Sequence, residues 1–156
     1  MKVVFIADLL SKEVEHETKS DTKEMIKGLI YKLKSFSTTP LNAKQALRML
    51  PFSENNLAYN VVLEIIGNYK IWELYSYEGD PNGLRMYDTK AYWYMIALLL
   101  CKLSNEAETT ITEIIDKIDH KYDYRIMLRT LGFFNDDRIS KLKTRLEARF
   151  AEVTLE

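Results

Sequence analysis

The chain has little of what marks most specialised proteins. A single cysteine, Cys101, excludes an intramolecular disulfide, and the two histidines, His16 and His120, lie too far apart in the chain to complete a ligand set at zinc spacing. Five glycines and three prolines in 156 residues argue against a loop-rich sandwich, a collagen-like repeat or disorder, and favour long helices. Neither sign of charge is in excess. With 22 basic and 23 acidic residues the net charge is -1, so attraction to nucleic acid or to an anionic membrane would have to come from a local patch. The apolar run "YWYMIALLLC", Tyr92 to Cys101, is about half the length a bilayer span needs. The N-terminal "MKVVFIADLL" is basic and then apolar, but Asp8 interrupts it and no small-residue cleavage site follows, so it reads as the first packed element. Phosphate-cradling glycine loops and a G-x-S-x-G nucleophile elbow are also missing. These absences together predict a soluble, cytoplasmic protein that is not an enzyme, binds no metal and needs no cofactor.

What is present is helical periodicity. Hydrophobic residues at 47% and charged residues at 29% suit a folded globular chain, and residues 1–156 read as a single, mostly α domain of about six to seven helices. In "SDTKEMIKGLIYKLKSF", Ser20 or Asp21 is the N-cap candidate, with Glu24 as the capping-box partner of Asp21. Met25, Ile26, Leu29, Ile30, Leu33 and Phe36 form the apolar face. Thr39 and Pro40 open a short second helix that Pro51 is expected to end. Ser53 should cap "ENNLAYNVVLEIIG", with Gly67 as its stop. Asp88 is expected to cap "TKAYWYMIALLLCKLS", which is apolar almost all round and therefore predicted to be the buried centre of the fold. Asn105 and Glu108 read as a capping box for a helix carrying Ile111, Ile114, Ile115 and Ile118 on one face. "YDYRIMLRTLG" closes at Gly132, and Asn135 is expected to cap the last helix, where Asp136 and Asp137 suit its positive start.

The stretch "YKIWELYSYEGDPNGLRMYD", Tyr69 to Asp88, has two readings. Its aromatic and β-branched residues suit one short β-hairpin near 69–87, turning at "GDPNG", whereas helical spacing lets the preceding helix continue toward Tyr77 and end at Gly79. Both readings place a loop at Gly79 to Gly83. There is also a faint internal echo, because the segments ending at Gly67 and at Gly132 each read as helix, tight turn, helix, as in a helix-turn-helix pair.

Candidate chemistry is sparse and candidate surfaces are better marked. His120, beside Asp119 and Asp123, has the residue types of a general base but reads more simply as an exposed turn residue. Cys101 sits among leucines, where a thiol stays protonated. On the last helix Arg138, Lys141, Arg145 and Arg149 line one stripe at about 100° per residue, and Lys23, Lys27 and Lys34 form a shorter ridge with Tyr31 nearby. If adjacent, the two ridges make a patch for phosphates or an acidic protein; if separate, each is a solvated helix face. Around the "GDPNG" loop the aromatic density is high, and Tyr75, Tyr77, Asp80, Asn82, Arg85 and Tyr87 are the first candidates for partner binding.

The leading expectation is a non-catalytic regulator, adaptor, inhibitor or small subunit whose partner is a protein, with no membrane contact. The alternative is a winged-helix-type nucleic-acid binder. In that reading Asn55, Asn56, Tyr59 and Asn60 would reach base edges, although their helix lacks the Arg and Lys that phosphate contact needs. A second candidate recognition helix carries Lys121, Tyr124, Arg125 and Arg129.

Overall fold

The structure, a computed structural model, describes residues 6–16, 20–35, 47–69 and 92–152. It is mostly helical, and no strand occurs among the described residues. In chain order the helices are α1 (Ile6–His16), α2 (Ser20–Ser35), α3 (Leu50–Glu54), α4 (Asn56–Asn68), α5 (residues 92–101), α6 (Asn105–Lys117), α7 (Lys121–Gly132) and α8 (Asp137–Glu152). The candidate hairpin near 69–87 lies outside the described residues, save for Tyr69. Tyr69 adopts extended angles (φ -121, ψ 103) and its N–H closes the last turn on the Ile65 carbonyl, so α4 does not run on through it.

The N-terminal helices pack as one group, with α1 against α2 and α4, and α3 against α2 and α4. At the other end α8 lies on both α6 and α7, and α4 reaches across to α6. Residues 92–100 of α5 are all buried, as expected of a helix that is apolar on every side. The isoleucine stripe of α6 (Ile111, Ile114, Ile115) and Ile118 just beyond it join the same hydrophobic cluster. Each such side chain contributes roughly 1.5–3 kcal/mol on leaving water.

Several helix starts differ by one or two residues from the sequence expectation, for local reasons. Pro51 does not end a helix. It occupies the first turn of α3, where a missing N–H costs nothing and the fixed φ suits helix entry. Ser53 therefore falls inside α3, its hydroxyl donating to the Leu50 carbonyl at 2.9 Å, and the cap of α4 is Asn55, which accepts from the Ala58 N–H at 3.0 Å. Helix α4 also passes through Gly67 and ends at Asn68. Ser104, not Asn105, caps α6 by accepting from the Ala107 N–H at 3.1 Å. Asp136, not Asn135, supplies the acceptor at the start of α8, 2.8 Å from the Arg138 N–H.

The join between the two helix groups is polar and specific. Tyr59 of α4 is buried, and its hydroxyl donates to the Lys102 carbonyl at 2.6 Å and accepts from the Ser104 N–H at 3.4 Å. It thereby satisfies an orphan carbonyl at the end of α5 and supports the residue that caps α6.

Candidate functional site

The basic stripe of the last helix faces α6. Arg138 donates from Nε to Glu108 Oε2 at 2.8 Å, from Nη1 to the Leu103 carbonyl at 2.7 Å and from Nη2 to Asn105 Oδ1 at 3.1 Å, and its Nη2 also pairs with Glu108. Two turns on, Arg145 grips Asp116 with a two-pronged contact, Nε to Oδ1 at 2.7 Å and Nη2 to Oδ2 at 2.6 Å. Arg149 Nε donates to the Ile118 carbonyl at 3.2 Å, where the end of α6 leaves an acceptor free. Partners advance from Leu103 and Glu108 through Asp116 to Ile118 as the arginines advance along α8. The two helices therefore run parallel, with α7 carrying the chain back between them. Lys141 is exposed and makes no ion pair among the described residues.

These pairs also set the local electrostatics. The Asp116 carboxyl is held below its ordinary value of 3.8, chiefly by the hydrogen bonds from Arg145, which outweigh partial burial. The charges of Arg145, Arg149 and Lys117 act in the same direction.

The second ridge belongs to the other helix group. Lys23 is half-buried and Lys27 is exposed, 3.9 Å from Glu24 one turn back; Lys34 lies in α2, its side chain outside the described residues. Helix α2 packs with α1, α3 and α4, while α8 packs with α6 and α7, so the described packing assigns the two ridges to different helix groups. The residues Tyr75, Tyr77, Asp80, Asn82, Arg85 and Tyr87 all lie outside the described residues.

The base-reading face of α4 is not assembled as a groove-binding helix requires. Tyr59 is buried at the α5–α6 join, Asn55 is a cap, and Asn56 accepts from Lys102 Nζ at 3.2 Å, which leaves Asn60 as the exposed uncommitted member. On α7, Lys121, Arg125 and Arg129 are exposed, but Tyr124 stacks on Phe150 with ring centroids 4.1 Å apart. His120 is the N-cap of α7. Its Nδ1 accepts from the Tyr122 N–H at 3.1 Å, a structural use that needs no substrate. Burial pushes the Cys101 thiol up to about 11, which leaves almost no thiolate at neutral pH.

A feature that sequence reading missed lies between α2 and α3. Here Glu24, Met25 and Gly28 face Pro51, Phe52, Glu54 and Asn55 across an open groove of about 690 Å³. A Cβ placed on Gly28 would meet Phe52 Cζ at 3.5 Å, an ordinary van der Waals contact, so α2 and α3 approach closely at this point. The helices are antiparallel, because Thr22 near the start of α2 meets Asn55 beyond the end of α3 (3.4 Å) and Gly28 meets Phe52. The available signal was Gly28 itself, a poor helix former in the middle of a strongly periodic helix.

No group of three or more His, Cys, Asp or Glu side chains is placed to hold a metal ion among the described residues, and no helix there is long and apolar enough to cross a membrane. No protein-family model, curated protein or solved structure matches the chain.

Proposed function

We propose that this chain is a non-catalytic binding protein, acting as a regulator, adaptor, inhibitor or small subunit, and that its partner is another protein. The observation that carries this reading is the commitment of Arg138, Arg145 and Arg149 to Glu108, Asp116 and the Ile118 carbonyl. A nucleic-acid binder draws most of its affinity from cations free to meet phosphates, and three of the four arginine and lysine positions on this stripe are engaged within the protein. The α2–α3 groove has a different character, lined by Met25, Gly28, Pro51 and Phe52 together with the carboxylates Glu24 and Glu54, and Tyr31, Leu47 and Leu50 are further exposed apolar side chains among the described residues. Exposed apolar residues around a concave, polar-edged surface are what protein docking uses. The aromatic stretch around Tyr75, Tyr77 and Tyr87 is a second contact in this reading, on the strength of its composition. The lone cysteine suits a reducing, cytoplasmic setting.

Fluorescence anisotropy of mixed single- and double-stranded DNA and RNA oligonucleotides, titrated with the full chain at low and at physiological salt, tests the reading against its rival. No saturable binding at either salt is the expected result. Saturable binding that weakens steeply with salt, and is lost with Lys141→Glu and Arg145→Glu, overturns it.

A further inference from the structure

Helix α7 presents a line of cations that the fold itself does not use. Lys121, Arg125 and Arg129 recur at every fourth residue, so they stand about 6 Å apart along the axis and drift only about 40° around it at each step. All three are exposed, and none makes an ion pair or a side-chain hydrogen bond among the described residues. On α8, by contrast, Arg138 and Arg145 are each bonded to a carboxylate of α6. The only carboxylate of α7 is Asp123, which is buried and so absent from the exposed face.

This placement works against the helix. Lys121 opens α7 and sets a positive charge at the positive end of its dipole, and both Lys121 with Arg125 and Arg125 with Arg129 are like-charge neighbours at the spacing where side chains meet. Carboxylates laid along the stripe would reverse all three effects. The rest of α7 favours a protein over a nucleic acid as their source. The helix contains no Asn, Gln or Ser, and its single Thr, Thr130, is buried with its hydroxyl donating to the Ile126 carbonyl at 2.8 Å. The amides and small hydroxyls that read base edges are therefore missing from this face, and three cations along about 12 Å meet few phosphates.

Resting on the proposed reading as a protein-binding chain, we infer that the exposed face of α7 docks an acidic helical segment of a partner protein, its Glu or Asp side chains recurring at every fourth position against Lys121, Arg125 and Arg129. The two arginines can each take a carboxylate in the two-pronged manner that Arg145 uses on Asp116. The charge speeds encounter and rejects basic segments.

The test is fluorescence anisotropy of three labelled probes titrated with the full chain at low and at physiological salt. The probes are an alanine-based helical peptide with Glu at every fourth position, the same peptide with Gln in place of Glu, and a single-stranded oligonucleotide. Arg125→Glu with Arg129→Glu reverses the stripe on exposed residues, and circular dichroism checks that the helices remain. Arg125→Gln, which keeps a long polar side chain, is the milder variant, and Lys141→Glu changes an exposed cation of α8 as the control. Supporting results are saturable binding of the Glu peptide, about tenfold or more tighter than that of the Gln peptide, weakened by Arg125→Gln, lost with the double variant and unchanged with Lys141→Glu. A Glu peptide that does not bind, or that is weakened as much by Lys141→Glu as by the double variant, overturns the assignment to α7 while leaving protein binding through another surface intact. Oligonucleotide binding at physiological salt that the double variant abolishes gives the stripe to nucleic acid and defeats the underlying reading as well. A concentration-dependent self-association that the double variant abolishes also overturns the inference, and gives the stripe to a second copy of the chain.

Discussion

The hydroxyl of Tyr59 lies 2.6 Å from the carbonyl oxygen of Lys102, across the seam between the N-terminal helices and the α6–α8 unit. From the other side Arg138 holds Leu103 and Asn105, one and three residues further on. The short connection between α5 and α6 is therefore clasped twice, by α4 and by α8, and it sets how the two helix groups meet.

Tyr59→Phe keeps the ring and removes one hydroxyl. It leaves the Lys102 carbonyl unpaired in a part-buried place and withdraws support from the Ser104 cap, at an expected cost of about 1–2 kcal/mol. Thermal melts followed by circular dichroism should show a fall of about 2–4 °C for each kcal/mol, with the helical signal of the folded protein unchanged. A variant as stable as the parent would mean that this hydrogen bond does not hold the seam.

The Asp116–Arg145 pair predicts a stability change at acid pH and not near neutrality. Because Asp116 titrates below its ordinary value in the folded protein, its carboxylate stabilises the fold fully above about pH 4, and the contribution is lost as pH falls through the depressed value. Melts between about pH 7 and about pH 3 should show a smaller acid loss for Asp116→Asn than for the parent. Both side chains are about half exposed, so the difference is small and shrinks further at high salt. A difference between the two proteins that instead opens between pH 5 and pH 7 would contradict this assignment.

Cys101 should be a slow thiol. With its titration pushed up to about 11 by burial, the folded protein is expected to react with a disulfide reagent far more slowly at mildly alkaline pH than the denatured chain does. Prompt stoichiometric labelling of the folded protein would show the thiol to be open to solvent and more acidic than its surroundings imply.

The parts of the fold that one helix can encode by itself were readable in the sequence. The all-round apolar character of residues 92–100 announced complete burial, and the spacing of Ile111, Ile114, Ile115 and Ile118 announced the inward face of α6; both are observed. Caps were harder, because "PFSENN", "LSNEAE" and "FNDD" each offer several adjacent capping residues and the entry angle of the chain decides among them. Asn55, Ser104 and Asp136 are the ones used. The arginine stripe of α8 was visible as a stripe, but its direction depends on Glu108 and Asp116, about thirty positions earlier in the chain. The α2–α3 groove needs two helices side by side before it exists, so Gly28 carried a hint and Phe52 none.

The arginines of α8 hold its helix group together, and the measurement that reaches this most directly is the melting temperature of Arg138→Ala beside Lys141→Ala. Arg138 and Lys141 are one turn apart on the same helix, one bonded to Glu108, Leu103 and Asn105, the other exposed and without an ion pair among the described residues. Partial exposure of Arg138 and Glu108, at 40% and 35%, holds the expected cost of losing Arg138 to about 1–2 kcal/mol. A fall of several degrees for Arg138→Ala with no change for Lys141→Ala is the expected result. Equal melting temperatures for the two variants would contradict it, and would return the whole stripe to the surface as a free basic ridge.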